Sequence, residues 1–214
     1  MKAEALFPVF LKLAGRRVLV VGGGPVAAGK IAGLEAAGAD ITVVAPGIVD
    51  EIRRSGVRIE QRPFEERDLD DVWYVVAAAT PDVNAAVARA AEERRLFVNA
   101  VDDPPNATAY LGGVVRRGDA TVAVSTGGRS PALAGLLREG IDALLPETAV
   151  VDRWLEEGDA LKAVWRSTGV PMEERRVQMA EVIARAYCGR MPGCAAVAST
   201  GGRGPAEPAE TNGR

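Results

Sequence analysis

The sequence contains no histidine and only two cysteines among its 214 residues. The side chain that serves most often as a general base and as a metal ligand is therefore missing, and acid–base chemistry has to come from carboxylates, lysine or tyrosine. Cys188 and Cys194 both lie late in the chain, which argues against a disulfide framework and against a cysteine metal site. The sequence therefore predicts a functional site without a metal ion.

Long apolar runs and a strong net charge are missing as well. No apolar stretch reaches the roughly 20 residues that a membrane span needs, and the N-terminal MKAEALFPVFLKLAGRR lacks the apolar core and cleavage site of a signal peptide. The net charge of −3 and the pI near 5.3 give no general attraction to nucleic acid or to a membrane. With 48% hydrophobic and 26% charged residues, the composition is that of a globular protein, which we expect to be cytoplasmic.

Short β-branched segments alternate with helical segments from Arg16 to Asp102, which is typical of βαβ units and a parallel sheet. The predicted strands are residues 17–21, 41–45, 57–61, 73–79 and 96–101, and the predicted helices between them are residues 25–37, 48–55 and 81–94. The strands are almost continuously apolar, as expected of a sheet covered on both faces. The pattern predicts an α/β fold with a Rossmann-type parallel sheet.

The pattern changes after Asp103. Residues 109–128 predict two strands joined by a tight turn, and residues 130–146 predict a helix. Further helical segments are expected near residues 148–157, 159–168 and 173–188. The end of the chain is rich in glycine, proline and small polar residues, which predicts disorder.

A glycine-rich turn, GGGPVAAG, follows the first predicted strand. Gly22, Gly24 and Ala27 form a G-x-G-x-x-A pattern between a buried strand and a helix, and this context indicates a dinucleotide-binding turn. Gly22 permits the tight turn, Gly24 lets a pyrophosphate approach the backbone, and Ala27 allows close helix packing. Pro25 suits the first helical position, which has no intrahelical N–H bond to lose.

The acidic residue that normally holds the ribose, about 20 residues after the glycines, is absent. The end of the second predicted strand reads Ala45-Pro46-Gly47, so ribose contacts have to come from the backbone around Pro46 and Gly47. Arg53 and Arg54 keep a 2′-phosphate open as an alternative. These residues alone do not decide whether the cofactor is NAD or NADP.

Four separated segments carry a family resemblance: FPVFLKLAGRRVLVVGGGPVAAGK, AAATPDVN, VNAVDDPPNAT and VAVSTGGRSPALAGLLRE. In this order and spacing they closely resemble the precorrin-2 dehydrogenases, the siroheme-synthase dehydrogenase family. Some members are also sirohydrochlorin ferrochelatases, and some are fused to a uroporphyrinogen methyltransferase. The resemblance covers about residues 5–150 well and the helical end loosely.

The resemblance implies NAD-dependent oxidation of precorrin-2, a tetrapyrrole, to sirohydrochlorin by a homodimer. It implies an NAD-binding Rossmann domain (residues 1–113), a dimerisation region of hairpin and helix (114–147) and a helical domain (148–190), followed by the tail predicted to be disordered (191–214). The family's cofactor contacts correspond to Gly22, Gly23, Gly24, Pro25, Val26, Pro46 and Gly47. Because the family shares the missing ribose acid, the resemblance favours NAD.

The family's essential aspartate falls on Asp102, directly after the fifth predicted strand. Ligands of open α/β sheets bind beyond the carboxyl ends of the strands, so Asp102 is expected to act as the general base beside the nicotinamide. The alternative is a turn residue ahead of two prolines, which is also the favoured interpretation of Asp103. A modifiable serine of the family aligns with Thr126, a departure that puts this role in doubt.

The carboxylates of a tetrapyrrole substrate call for cations or N–H donors. The candidates are Asn106, Thr108, Arg116, Arg117 and Arg129. Two other functions stay open: a bifunctional enzyme that also inserts Fe²⁺ into sirohydrochlorin, and a regulatory Rossmann module that senses NAD(H). A sensing module needs no base and is expected to carry the ribose acid that this sequence lacks.

Overall fold

The computed structural model describes residues 5–188, and the predicted tail at residues 191–214 lies outside that range. Its main sheet has five strands: β1 (Arg17–Val21), β2 (Asp40–Val44), β3 (Arg58–Glu60), β4 (Tyr74–Ala77) and β5 (Phe97–Ala100). The helices of this part are α1 (Pro25–Ala36), α2 (Asp50–Arg54) and α3 (Pro81–Glu93). Each predicted strand and helix of this part is present, with ends that shift by a few residues.

The five strands are parallel and follow the order β3-β2-β1-β4-β5. This order confirms the predicted Rossmann-type sheet. The chain first builds outward from β1 to β3 and then returns to the other side of β1 with β4. The crevice between the loops after β1 and β4 is therefore the topological switch point, where open α/β sheets bind ligands.

Both faces of the sheet are buried, which explains the continuous apolar strands. One face, with Leu19, Val21, Val75, Ala77 and Val98, packs on Val87 of α3. The other face, with Val18, Val20, Val43 and Val76, packs on Ile31 of α1 and Ile52 of α2. Because successive residues of a strand point to opposite faces, β1, β2 and β4 each contribute to both layers.

The second half of the described chain contains the predicted hairpin, β6 (Gly113–Arg117) and β7 (Ala120–Val124), and three helices. These are α4 (Pro131–Leu144), α5 (Thr148–Thr168) and α6 (Met172–Cys188). The expected break near residue 158 is wrong, since α5 runs through it. Gly158 is buried, and a Cβ there would lie 3.4 Å from Met179 Sδ, an ordinary van der Waals distance, so this position belongs to the contact between α5 and α6 and does not end the helix.

The described chain divides into two compact units. The first comprises the residues up to Gly113 together with Val124–Leu136, and the second comprises Val114–Ala123 and the residues from Leu137 onward. The division into domains at residues 1–113, 114–147 and 148–190 stays a prediction. No helix between residues 5 and 188 combines the length and the apolar character needed to cross a membrane.

Candidate functional site

The loops that follow the parallel strands lie side by side at the carboxyl edge of the sheet. The N–H of Gly22 donates to Val44 O at 3.0 Å, and the N–H of Ala78 donates to Val21 O at 2.8 Å. The N–H of Val101 donates to Ala77 O at 2.9 Å. These bonds continue the sheet beyond its last regular residues, so the loops after β1, β2, β4 and β5 form one continuous edge.

Gly22 and Gly23 fill positions where no side chain fits. Gly22 has φ +129°, and a Cβ on it would lie 2.2 Å from the carbonyl oxygen of Ala78. A Cβ on Gly23 would lie 1.9 Å from the carbonyl oxygen of Gly47. The glycine turn is thus packed against the loop after β4 on one side and the loop after β2 on the other, which explains both glycines without reference to a ligand.

Gly24 differs from its two neighbours, because no described atom lies within 4 Å of a Cβ placed on it. It is the N-cap of α1, and its carbonyl accepts the first intrahelical bond, from Ala28 N–H at 3.1 Å. Pro25 is the first helical residue, and the N–H groups of Val26 and Ala27 precede the first intrahelical donor. The helix N-terminus therefore offers amides beside open space, which fits the pyrophosphate of a dinucleotide.

The loop after β2 carries Pro46 and Gly47, both exposed. The N–H of Val49 donates to Gly23 O at 2.9 Å, which ties this loop to the glycine turn. Gln61 Nε2 donates to the Pro46 carbonyl at 3.1 Å, and Arg53 Nη2 donates to Gln61 Oε1 at 2.9 Å. The predicted ribose-binding segment is thus an ordered part of the carboxyl edge.

Asp102 follows β5 at the same edge and is exposed. Its φ of +54° lies in the left-handed region, which aspartate and asparagine tolerate better than most residues. β4 lies between β1 and β5, so two strand spacings, roughly 10 Å, separate the glycine turn from Asp102. The structure therefore brings the predicted cofactor-binding residues and the predicted base to one edge of one sheet.

The segment after Asp102 folds back along β5. Asn106 Nδ2 donates to Asp103 Oδ2 at 2.8 Å, so Asp103 has the turn role expected of it. Thr108 Oγ1 accepts the N–H of Val98 at 2.8 Å. Asn106 and Thr108 thus shape the loop beside Asp102, and their assignment to the substrate stays a prediction.

The sequence did not predict the roles of two buried asparagines. Asn84 is 3% exposed and accepts the N–H of Ala79 at 3.0 Å, which fixes the loop that packs on Gly22. Asn99 is 7% exposed and donates to Ala109 O at 3.0 Å, while its Oδ1 has no hydrogen-bond partner among the described residues. A polar residue inside the apolar segment FVNAV was the signal that could have revealed Asn99.

The three candidate arginines differ in their surroundings. Arg129 is exposed in the turn before α4, where Thr126 Oγ1 accepts the N–H of Ser130 at 3.3 Å. Arg116 is exposed on β6. Arg117 is engaged: its Nη2 pairs with Asp142 Oδ1 at 2.7 Å, and its Nε donates to the Pro146 carbonyl. Arg116 and Arg117 belong to the second compact unit and Arg129 to the first.

Among residues 5–188, no group of three or more Cys, Asp or Glu is placed to hold a metal ion. The carboxyl edge of the sheet combines a glycine turn, backbone amides and a carboxylate.

Two family descriptions match the chain. Residues 9–113 match a family of NAD(P)-binding domains, and residues 117–144 match the central domain of sirohaem biosynthesis proteins. The first match confirms the predicted nicotinamide dinucleotide-binding domain and covers all the cofactor residues predicted above. The second covers the end of β6, β7 and α4.

Among curated relatives, a siroheme synthase of Xylella fastidiosa (strain M12) is 41% identical over 154 residues, which are 69% of this chain and 32% of that protein. Siroheme synthase 2 of Cronobacter sakazakii is 43% identical over 145 residues, 65% of this chain and 32% of that protein. The chain thus spans about a third of the length of these relatives.

Among solved structures, SirC, a precorrin-2 dehydrogenase, matches with a TM-score of 0.63 and 28% identity. The match covers 83% of this chain and 89% of SirC. Unlike the siroheme synthases, SirC is thus matched over most of its length. The chain belongs to the family formed by the precorrin-2 dehydrogenases and the N-terminal region of the siroheme synthases.

Proposed function

We propose that the chain is an NAD-dependent dehydrogenase that oxidises precorrin-2 to sirohydrochlorin in siroheme biosynthesis. The observation that carries the proposal is the similarity to SirC, a precorrin-2 dehydrogenase, over most of both chains. The carboxyl edge supports it independently, because a glycine turn suited to a pyrophosphate and an exposed carboxylate occur on the same sheet. A cytoplasmic location is part of this proposal.

The proposed cofactor contacts are Gly22, Gly23, Gly24, Pro25, Val26, Pro46 and Gly47. The amides at the start of α1 would hold the pyrophosphate, since the helix dipole favours an anion there. Gly24 leaves room for the phosphate oxygens. Gly22 and Gly23 in addition let the neighbouring loops close around the turn. When bound, NAD⁺ supplies the hydride acceptor.

Asp102 is the proposed general base. Oxidation removes one hydride and one proton from the macrocycle, and the carboxylate of Asp102 accepts the proton. The chain has no histidine to take this role. The left-handed backbone at Asp102 reverses the chain after β5 and leaves the side chain exposed at the strand end.

The substrate's carboxylates are proposed to contact Asn106, Thr108, Arg116, Arg117 and Arg129. Exposed guanidinium groups recognise carboxylates through paired N–H donors, which favours Arg129 and Arg116. Arg117 already pairs with Asp142, so a structural role competes with substrate binding there.

We also propose that the protein acts as a homodimer. α4 carries four leucines with large exposed fractions: Leu133, Leu136, Leu137 and Leu144, exposed by 48%, 66%, 47% and 79%. Such an apolar stripe is typical of a protein–protein contact. The domain division at residues 1–113, 114–147 and 148–190 belongs to the same proposal, with α4 in the dimerisation region. Size-exclusion chromatography with light scattering tests it: wild type should elute as a dimer and Leu136→Asp as a monomer, and a monomeric wild type overturns it.

The central experiment measures NADH formation from precorrin-2 and NAD⁺ with wild type, Asp102→Asn and Asp103→Asn. Asparagine tolerates the left-handed backbone, so Asp102→Asn removes the charge without straining the loop. Loss of a general base is expected to lower kcat by about 10²- to 10⁴-fold, with the Kd for NAD⁺ unchanged. Asp103→Asn keeps an oxygen for Asn106 and should retain the wild-type rate.

The outcomes separate the parts of the proposal. A wild type that forms no NADH overturns the dehydrogenase and favours the NAD(H)-sensing module. Full activity in Asp102→Asn overturns only the assignment of the base. Equal losses in Asp102→Asn and Asp103→Asn would indicate a disturbed loop.

Iron insertion is the second candidate activity, favoured by the match to relatives that carry the name siroheme synthase. Sirohydrochlorin and Fe²⁺ without NAD⁺ provide the test. Insertion above the spontaneous rate establishes a bifunctional enzyme, and insertion at the spontaneous rate leaves the dehydrogenase alone. Asp102 is the side chain to vary in that assay, because its carboxylate is suited to accept the pyrrole protons that the metal displaces.

A further inference from the structure

We propose that Tyr110 is a positioning residue: it holds the turn that carries Arg129 against the loop that carries Asp102. A carboxylate of the tetrapyrrole bound by Arg129 is thereby fixed relative to the base. The inference rests on the proposed function, from which it takes the substrate and the roles of Asp102 and Arg129. Its own basis is the pair of contacts that the Tyr110 side chain makes, one with each segment.

The first contact of Tyr110 is with the loop after β5. Its hydroxyl donates to the carbonyl of Pro104 at 3.3 Å, and Pro104 lies two residues after Asp102. The same loop is braced internally, because Asn106 Nδ2 donates to Asp103 Oδ2 at 2.8 Å. The Tyr110 hydroxyl therefore reaches the backbone segment that sets the position of the proposed base.

The second contact of Tyr110 is with the turn between β7 and α4. A Cβ placed on Gly128 would lie 3.1 Å from Cε1 of Tyr110, so the aromatic ring lies directly against this glycine. Gly128 has φ +74°, a conformation that glycine adopts without steric cost. The next residue is Arg129, which is exposed. The ring thus contacts the backbone immediately before the guanidinium-bearing residue.

The turn that carries Arg129 has a defined internal shape. Thr126 Oγ1 donates to the carbonyl of Ser130 at 3.0 Å and accepts the N–H of Ser130 at 3.3 Å. The N–H of Arg129 donates to the carbonyl of Thr126 at 3.2 Å. These bonds stay within the turn, so they fix its shape and not its distance from Asp102. The contacts of Tyr110 supply that second restraint.

The backbone that follows Tyr110 runs along the same turn. A Cβ on Gly112 would lie 2.2 Å from the carbonyl oxygen of Val124, the last residue of β7. The residues up to Gly113 and residues 124–136 belong to one compact unit. The loop of Asp102 and the turn of Arg129 are therefore neighbours within that unit. Positioning of this kind matters for catalysis, because a shift of about 1 Å in a reacting group costs up to about 10²-fold in rate.

The first test measures NADH formation from precorrin-2 and NAD⁺. Tyr110→Ala removes both contacts and should lower kcat by about 10- to 100-fold. Tyr110→Phe keeps the ring against Gly128 and should lower kcat by about threefold, the effect of one neutral hydrogen bond. Leu111→Ala is the matched control on the same segment, since Leu111 is already 50% exposed, and it should retain the wild-type kcat. The Kd for NAD⁺ should be unchanged in all three variants.

The second test measures the Kd of sirohydrochlorin without NAD⁺, so it does not depend on turnover. Arg129→Ala should weaken binding by about tenfold in the wild-type background, the size of a hydrogen bond to a charged group. In the Tyr110→Ala background the same change should weaken binding by less than about threefold, because the turn is no longer held in place. The same pair of measurements with Tyr110→Leu, which retains an apolar side chain, decides the question where Tyr110→Ala loses the fold.

The outcomes distinguish this inference from the proposed function. Equal effects of Arg129→Ala in the two backgrounds overturn the positioning role, as does a wild-type kcat in Tyr110→Ala. A wild type that binds sirohydrochlorin with the expected coupling and forms no NADH overturns the dehydrogenase and supports the positioning role. A wild type that does not bind sirohydrochlorin overturns both.

Discussion

Replacing Gly22 with alanine should lower the stability of the fold itself, even when no ligand is bound. Gly22 has φ +129°, a conformation that residues with a Cβ rarely adopt, and its added Cβ would lie 2.2 Å from Ala78 O. Ala78 has little freedom to retreat, because its N–H bonds Val21 at 2.8 Å and the next amide bonds buried Asn84 at 3.0 Å. The clash is therefore between two fixed backbone segments.

Two terms contribute to the expected loss. A strained backbone conformation costs about 1–3 kcal/mol, and forcing extra volume into a packed site costs about 1–3 kcal/mol. Because movement of the loop relieves part of both terms, we expect the free energy of unfolding to fall by roughly 3 kcal/mol for Gly22→Ala. In a chain of this length that loss lowers Tm by roughly 6–12 °C.

Gly24→Ala is the matched control. Its backbone, at φ −89° and ψ −178°, suits alanine, and no described atom lies within 4 Å of the added Cβ. The fold should lose no more than about 1 kcal/mol, the cost of a poorer N-cap, while NAD⁺ should bind more weakly because the methyl group enters the space assigned to the pyrophosphate.

Differential scanning calorimetry and calorimetric titration with NAD⁺ measure the two effects separately. A Gly22→Ala variant whose Tm lies within about 2 °C of wild type would refute the close packing described for this turn. If Gly24→Ala binds NAD⁺ as wild type does, the pyrophosphate lies elsewhere.

Three further predictions concern other parts of the chain. Burial raises the pKa of Tyr74 to about 12 from its ordinary value of 10. The contribution of the neutral Tyr74 to the free energy of unfolding should therefore be fully present below pH 10 and decline as the pH rises toward 12. Tyr74→Phe should reduce that decline in alkaline unfolding curves. Trp165 is 8% exposed and its Nε1 donates to Gln178 at 2.7 Å, so Trp165→Ala should cost about 3–5 kcal/mol in urea denaturation. Arg117→Ala should lower Tm through loss of the Asp142 pair, whereas Arg116→Ala should leave Tm unchanged and, if it contacts substrate, raise KM.

The sequence predicted the elements whose signal is local. The buried strands and the glycine turn depend on apolar runs and on residues with special backbone freedom, and each of them appears where expected. The position of Asp102 at the carboxyl edge also followed, because strand ends and ligand sites coincide in parallel sheets.

What the sequence did not reveal depends on contacts between distant residues. Gly158 has the appearance of a helix break, but it lies inside α5 at a contact with Met179, which belongs to another helix. Gln61 and Asn84 are polar residues in ordinary loop and helix positions, and only the fold brings them to the loops after β2 and β4. Hydrogen bonds between a side chain and the backbone of a distant segment leave no periodic pattern in the sequence. The sequence alone therefore does not predict them.

The segment that folds back along β5 limits the ways in which two copies of this protein can pair. Val98, in the middle of that outermost strand, has its N–H bonded to Thr108 Oγ1 and its carbonyl bonded to the amides of Thr108 and Ala109 at 2.9 Å. An outermost strand with unpaired backbone groups invites strands of other molecules, a common route to aggregation. Here the loop that contains Thr108 and Ala109 already bonds the outer edge of β5. A second copy therefore cannot extend the sheet at Val98.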